Sequence, residues 1–280
     1  MNTITTIADM RAARAAHGGT TRVGLVPTMG AFHAGHEALF RVARRECEVV
    51  IASLFVNPSQ FNDPADLAAY PRDAERDAAT AARAGVDLLF APSVEEMYGP
   101  HYATWVEPGG ASRGLEGEAR PGHFRGVATV CLKLFQIVRP DVAYFGQKDA
   151  QQVAVVSQMV RDLNVDVVIR VVPTVRDADG LALSSRNVRL SPADRARAAA
   201  IPQALEAGLA AGRAGKDPAA AAQAALGDIP TDYVRVVDLD GHLMLAIAVR
   251  LSGTRLIDNV RLDEGPAEGI VGLQEAAHGK

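Results

Sequence analysis

The chain has 280 residues, 48% of them hydrophobic and 22% charged, with a net charge of −4. It is long enough to bury a substantial core in one large domain plus a smaller one. The acidic balance and the lack of a basic run argue against a nucleic-acid partner, and no apolar run approaches the length of a membrane span.

Residues 5–16 read as a short helix without evident chemistry. Val23, Leu25 and Val26 suit a buried parallel strand, while Leu39, Phe40, Val42 and Ala43 recur at helical spacing. Between them the chain breaks at Pro27 and Gly30 and places His33 and His36 at the start of the helix. Unpaired backbone N–H groups and the positive end of the helix dipole favour phosphate there, and an imidazole adds a donor or a proton. No Gly-Lys-Ser/Thr follows, which excludes a P-loop, and Phe40 stands where a zincin helix needs its second histidine. A two-histidine metal site and a pair of idle loop histidines stay open at this point.

Glu48 to Val56 is expected as a buried strand cut off by Asn57-Pro58, which puts Gln60 at a carboxyl edge where open α/β sheets bind ligands. Asp63 to Tyr70 reads as loop, and Pro71 to Ala84 as a helix stopped by Gly85. Val86 to Phe90 is expected as a strand. Tyr98 to His123 should form long Gly/Pro-rich loops with a short strand near Tyr102 to Val106. Gly122 then opens a helix to Arg139 with Val127, Val130, Cys131, Leu134 and Val138 on one face. Asp141 to Phe145 is the next strand, with Gly146, Gln147, Lys148 and Asp149 at its carboxyl end, the same layout as the first histidine turn. Lys148 is placed there as a point charge for polyphosphate or, alternatively, as a surface partner of Asp149.

Val165 to Val171 is expected as a strand ending at Pro173. Ser184, Ser185, Arg186 and Asn187 follow in a loop able to donate to phosphate oxygens, and Ser191-Pro192 makes the better helix start. Two Ala-rich helices, 192–213 and 218–226, precede strands at 233–237, 244–251 and 254–259, which suggests an α+β module. The domain boundary is expected within 176–190. Cys47 and Cys131 lie far apart in apolar patterns, as buried free thiols in a reducing compartment do. Met1 to Met10 has neither the basic start nor the apolar centre of a signal peptide, so the expected location is the cytoplasm.

The His33-Ala-Gly-His36 turn with a downstream lysine and a serine-rich loop resembles the HxGH nucleotidyltransferase superfamily. Further ordered blocks resemble the pantothenate synthetases, the pantoate–β-alanine ligases. They are Pro27-Thr-Met-Gly30, Phe55-Val-Asn-Pro58 with Gln60-Phe61, Ala69-Tyr-Pro-Arg72, Leu132-Lys-Leu134, Lys148-Asp149, Gln151-Gln152, Asp179-Gly-Leu-Ala182 and Ser184-Ser-Arg-Asn187. The resemblance implies a Rossmann-like N-terminal domain (1–180) with a parallel sheet holding ATP and pantoate, and a smaller α+β C-terminal lid domain (181–280). It also implies a homodimer and an AMP-forming condensation of pantoate with β-alanine through pantoyl-adenylate.

Carried over by position, Met29, Gly30, Ala31, Phe32, His33, Ala34, Gly35 and His36 would contact ATP, with His33, His36 and Lys148 catalytic and His36 the proton donor. Gly146, Gln147, Lys148 and Asp149 would also bind the nucleotide, Val175 would touch adenine, and Leu183, Ser184, Ser185 and Arg186 would close over the phosphates. Gln60 and Gln152 would hold pantoate, Gln60 lying close to β-alanine as well. Mg2+ would bridge the phosphates through ATP oxygens and water, with no dedicated protein ligands assigned and Asp77 as an accessory carboxylate. One departure is Gln147, where relatives usually carry Glu. It removes a charge beside Lys148 and keeps the shape.

Overall fold

A computed structural model of the chain describes residues 1–263 and 271–272. It divides into two compact units, Met1–Phe32 with His36–Phe145 and Gln151–Val172, and His33–Gly35 with Gly146–Ala150 and Pro173–Lys280. The last part of the expected C-terminal domain, 264–270 and 273–280, lies outside the described residues.

In chain order the first unit carries β1 (Asn2–Ile4), α1 (Ile7–Ala15), β2 (Val23–Val26), α2 (Ala34–Glu46), β3 (Val49–Ser53), α3 (Pro64–Ala68), α4 (Ala74–Arg83) and β4 (Leu88–Phe90). It continues through α5 (Val94–Met97), α6 (Leu115–Ala119), α7 (His123–Val138), β5 (Val142–Gly146), α8 (Ala150–Asp162) and β6 (Val168–Val172). The strands form one six-stranded sheet in the order β1-β4-β3-β2-β5-β6, with parallel pairing at β1–β4, β4–β3, β3–β2 and β2–β5.

Every residue of β2, β3 and β4 is buried, which is why these strands read as continuous apolar runs and not as alternating ones. Alternation still sorts them by face. Val23, Leu25, Ile51, Phe90, Ala143 and Phe145 pack with Met10 and the α7 residues in one cluster, and Val26, Val50, Ala52, Leu89 and Tyr144 pack with Phe40, Ala43 and Ala81 in another. Strand order reverses between β2 and β5, so their carboxyl ends open on the crevice that such sheets use for ligands.

The second unit carries β7 (Val175–Arg176), α9 (Pro192–Ala198), α10 (Ala200–Arg213), α11 (Pro218–Leu226), β8 (Thr231–Leu239), β9 (His242–Leu251), β10 (Thr254–Arg261) and β11 (Val271–Gly272). The expected antiparallel sheet is present in the order β10-β9-β8. Its core joins Ile201, Ala204 and Leu205 of α10 to Leu245, Ile247 and Val249 of β9.

Several expectations are corrected. No strand forms at Tyr102–Val106, where Tyr98, Tyr102 and Trp105 cluster by their rings and the Val106 N–H donates to Thr129 Oγ1 instead of to a neighbouring strand. The loop at 63–70 contains α3, capped by the Asp63 side chain with Pro64 in its first turn. The helix expected from Pro71 starts at Ala74, because the Asp73 side chain caps it. The strand expected to Val56 ends at Ser53, after which the Leu54 and Phe55 amides turn to the Phe90 and Thr28 carbonyls. The 192–213 helix is broken at Ala199. α7, expected to be amphipathic, is buried nearly all round. β1 has no counterpart among the expected strands, because three residues leave no periodicity in the sequence. Among the described residues no helix is long and apolar enough to cross a membrane, and both cysteines are free and buried.

Candidate active site

In the first unit the turn after β2 is held by two anchors. Thr28 donates its hydroxyl to the Ser53 carbonyl, and the Thr28 N–H is received by Ser53 Oγ at 2.9 Å. Gly30 then turns with φ of +85° and Ala31 with φ of +54°, and the Asp77 carboxyl accepts the N–H groups of Ala31 and Phe32, both at 2.8 Å. Position 30 favours glycine, because its φ is positive and a β-carbon would stand 2.6 Å from Leu54 Cδ1 and 2.7 Å from Asp77 Oδ2. Asp77 is 2% exposed. Its oxygens are engaged by the backbone that carries the histidine turn. His36 follows in the first turn of α2, its ring tilted against Phe32 at 5.3 Å between centroids.

Gln60 ends a 3-10 turn over Pro58–Gln60 that Asn57 caps. Asn57 Nδ2 donates to Gln60 Oε1 at 3.0 Å and to the Gly126 carbonyl at 3.2 Å, while the Tyr98 hydroxyl donates to Asn57 Oδ1 at 2.9 Å. The turn lies directly on α7, because a β-carbon at Gly126 would stand 2.4 Å from the Ser59 carbonyl oxygen. The Gln60 carbonyl accepts from His123 Nδ1 at 2.8 Å and from Arg120 Nη2 at 3.3 Å. A carbonyl only accepts and a guanidinium only donates, so the 3.1 Å contact of Arg120 with His123 Nε2 assigns that ring as neutral with its proton on Nδ1. Of the two adjacent glutamines in α8, Gln151 is consumed by structure, accepting the Glu116 N–H and donating to the carbonyls of Ala111, Arg113 and Gly114. Gln152 is half-buried in the first turn of the same helix.

In the second unit, His33 Nδ1 accepts the Gly35 N–H at 3.1 Å, which leaves the ring proton on Nε2. Burial, and then the nearby Lys148 ammonium, lower the His33 pKa from 6.5 to about 4, against a smaller opposing pull from Asp149. His33 is therefore a neutral hydrogen-bond donor at neutral pH. Lys148 is 18% exposed at its side chain, and its ammonium lies 3.9 Å from Asp149 Oδ1. The turn over Gln147–Asp149 is held by Asn259 of β10, whose Nδ2 donates to the carbonyls of Lys148 at 2.8 Å and Gln147 at 3.1 Å.

The segment after β7 doubles back, with the Leu183 N–H donating to the Val175 carbonyl at 3.0 Å. Ser184 Oγ accepts the Arg186 N–H at 3.2 Å, so this serine orders its own loop, while Ser191 caps α9 as expected. Leu183, Ser184, Ser185 and Arg186 are half-buried. Two polar atoms of this segment, Thr174 Oγ1 beside Val175 and Asn187 Oδ1, are buried without a hydrogen-bond partner among the described residues.

Within the second unit the structure thus brings His33, Gly35, Lys148 and Asp149 together, and a β-carbon at Gly35 would stand 3.9 Å from Leu183. Within the first it gathers Asn57, Gln60, Tyr98, Arg120 and His123. Asp77, His123 and Asn259 were missed as partners of site residues, since a side chain that serves a distant backbone has no spacing to betray it. No group of three His, Cys, Asp or Glu side chains fit to hold a metal occurs among the described residues, so the two-histidine metal site does not gain the further ligands it would need.

A family model described as pantoate–β-alanine ligase matches residues 2–261. Pantothenate synthetase of Moorella thermoacetica is 52% identical over 257 residues, covering 86% of this chain and 91% of its own. That of Roseiflexus sp. is 50% identical over 279 residues, covering 94% and 100%. Among solved structures, pantothenate synthetase from Thermus thermophilus superposes with a TM-score of 0.88 at 46% identity, covering 94% of this chain and 99% of its own. Pantoate–β-alanine ligase from Francisella tularensis, complexed with Beta-gamma ATP and β-alanine, superposes with a TM-score of 0.83 at 35% identity, covering 95% and 100%. On a match that runs through both compact units, the chain belongs to the pantoate–β-alanine ligase family, the enzymes that join pantoate to β-alanine.

Proposed function

We propose that this chain performs the family's condensation in two steps. The carboxylate of pantoate attacks the α-phosphorus of ATP and expels diphosphate, and the amine of β-alanine then displaces AMP from the adenylate to give pantothenate. The observation that carries this reading is the pairing of a neutral imidazole donor, His33, with the Lys148 ammonium in one folded unit. A carboxylate is a poor acylating agent until joined to AMP. The protein's task is then to align two reactants and stabilise charge developing on phosphate oxygens, which needs no protein nucleophile.

In this assignment His33 Nε2–H and Lys148 Nζ serve phosphate oxygens, and the N-terminal amides of α2, beginning at Ala34, add their dipole. His36 is the second imidazole on that turn and the assigned proton donor. Gly146, Gln147 and Asp149 flank Lys148 along the nucleotide, Val175 lies on adenine, and Leu183 to Arg186 close the site as part of a lid that begins near residue 181. Gln60 and Gln152 hold pantoate, the first supported by its buried and fully braced turn. Mg2+ is assigned to ATP oxygens and water, where it would neutralise phosphate charge, since the described residues offer no cluster of three ligands for it. The resemblance further supports a cytoplasmic homodimer.

The test is ATP-dependent release of AMP and diphosphate with pantoate, with and without β-alanine. Diphosphate release with pantoate alone, and AMP and pantothenate on adding β-alanine, is the expected result. A product that keeps the nucleotide would overturn the ligase reading, and so would unchanged diphosphate release in both His36→Ala and Lys148→Ala.

A further inference from the structure

Lysine is a compact charge on a flexible four-carbon stem, so aiming it requires a fixed backbone beneath it. The turn that carries Lys148 cannot fix itself. It is a single 3-10 turn over Gln147–Asp149, preceded by Gly146, with no side-chain cap of its own. Its bracing comes from a residue 111 positions away. Asn259, 5% exposed in β10, donates through one nitrogen to the carbonyls of both Gln147 and Lys148. The preceding residue of the strand faces the other way. There Asp258, 2% exposed, takes Arg176 Nη1 and Nη2 at 2.6 and 3.0 Å, and Arg176 Nη1 also donates to the Gly180 carbonyl at 3.0 Å. Two consecutive residues of β10 thus fasten the Lys148 turn and the hairpin that leads from Val175 to Ser184.

We propose that Asn259 is a positioning residue for Lys148, acting through the carbonyls of Gln147 and Lys148 to hold the ammonium where the phosphates pass. This rests on the reading that Lys148 serves ATP. Asn259 touches no substrate in this role. Its effect should reach catalysis only through the lysine, which separates it from a residue that merely stabilises the unit.

The experiment is a double-mutant cycle on the intact chain, read as the single-turnover rate of diphosphate release from ATP and pantoate without β-alanine. Asn259→Ala should slow that step by about 10- to 100-fold, the range in which small misplacements of a catalytic group fall. In the Lys148→Ala background the same change should cost less than about threefold, because residues that act as a unit are non-additive. Asn259→Asp keeps the volume and removes the donors, so it should reproduce the loss even if the alanine variant folds poorly. The inference is overturned if both Asn259 variants keep the parental rate, or if Asn259→Ala costs the same factor with and without Lys148. If Lys148→Ala alone keeps the full rate, the phosphate role of Lys148 falls and the Asn259 inference falls with it. Loss in Lys148→Ala beside unchanged Asn259 variants sinks only the latter.

Discussion

Replacing Asp77 by Asn isolates what holds the histidine turn. In the structure the two carboxyl oxygens receive two consecutive amides, from Ala31 and Phe32, each at 2.8 Å, in a site only 2% exposed. They offset the cost of the backbone they bind, since Ala31 sits in the left-handed region at a penalty of about 1–2 kcal/mol. A carboxamide has one accepting oxygen, so one amide keeps its partner and the other faces an NH2 group. Losing one hydrogen bond to a charged acceptor and leaving a buried N–H unmet costs about 2–4 kcal/mol. Against a whole-protein stability of about 5–15 kcal/mol, that is a visible fraction. The assay is urea unfolding followed by circular dichroism, with neither Mg2+ nor ATP present. The expected result is a lower midpoint with an unchanged slope. A carboxyl kept for a metal would be relieved, not harmed, by neutralisation without the metal. A ligand-free Asp77→Asn protein as stable as the parent, or more so, therefore refutes the structural role.

Two further outcomes follow from the same geometry. His33 titrates at about 4 when folded and at 6.5 as its ordinary value, so between these limits the unfolded chain binds a proton that the folded chain does not. Its contribution is complete above about pH 6.5 and is lost as pH falls toward 4, by about 3 kcal/mol in all. His33→Gln should flatten that part of the stability–pH curve, and an unaltered slope in urea titrations from pH 4 to 7 would count against the assignment. Gly126→Ala drives a β-carbon to 2.4 Å from the Ser59 carbonyl oxygen, which should destabilise the chain by about 1–3 kcal/mol. Because the displaced turn carries Gln60, the proposed pantoate contact, the KM for pantoate should rise several-fold while that for ATP stays put. Parental values of both stability and pantoate KM would contradict the packing described.

The parts of the fold that were legible in the sequence are those whose residues explain themselves locally. β2, β3, β4 and β5 are apolar runs because both faces of the sheet are covered. Asp73, Ser191 and Asp217 cap helix starts, though Pro71 competes with Asp73 as a start signal, and Asp63-Pro64 caps a helix of only five residues, too short to leave a period. The aromatic stretch at 98–106 carries strand-like composition, yet Tyr98, Tyr102 and Trp105 spend it on one another, which no local pattern separates from a strand.

The candidate site divides in the same way. The sequence alone determined the chemistry on offer: two histidines after the first strand, a lysine after the fifth, a serine-rich loop, and a glutamine beyond Asn-Pro, each a side chain at a strand end or turn marked by Gly or Pro. Only the tertiary structure decided what those groups are. It made His33 neutral by burying it near Lys148, and it set Asp77 beneath the backbone of the histidine turn. It tied Gln151 to the backbone around Glu116, and set the Lys148 turn on Asn259. The reason is physical. Motif residues are recognisable because turn geometry and ligand chemistry restrict them locally, whereas pKa, hydrogen-bond engagement and aim depend on groups brought near by folding from tens to more than a hundred residues away.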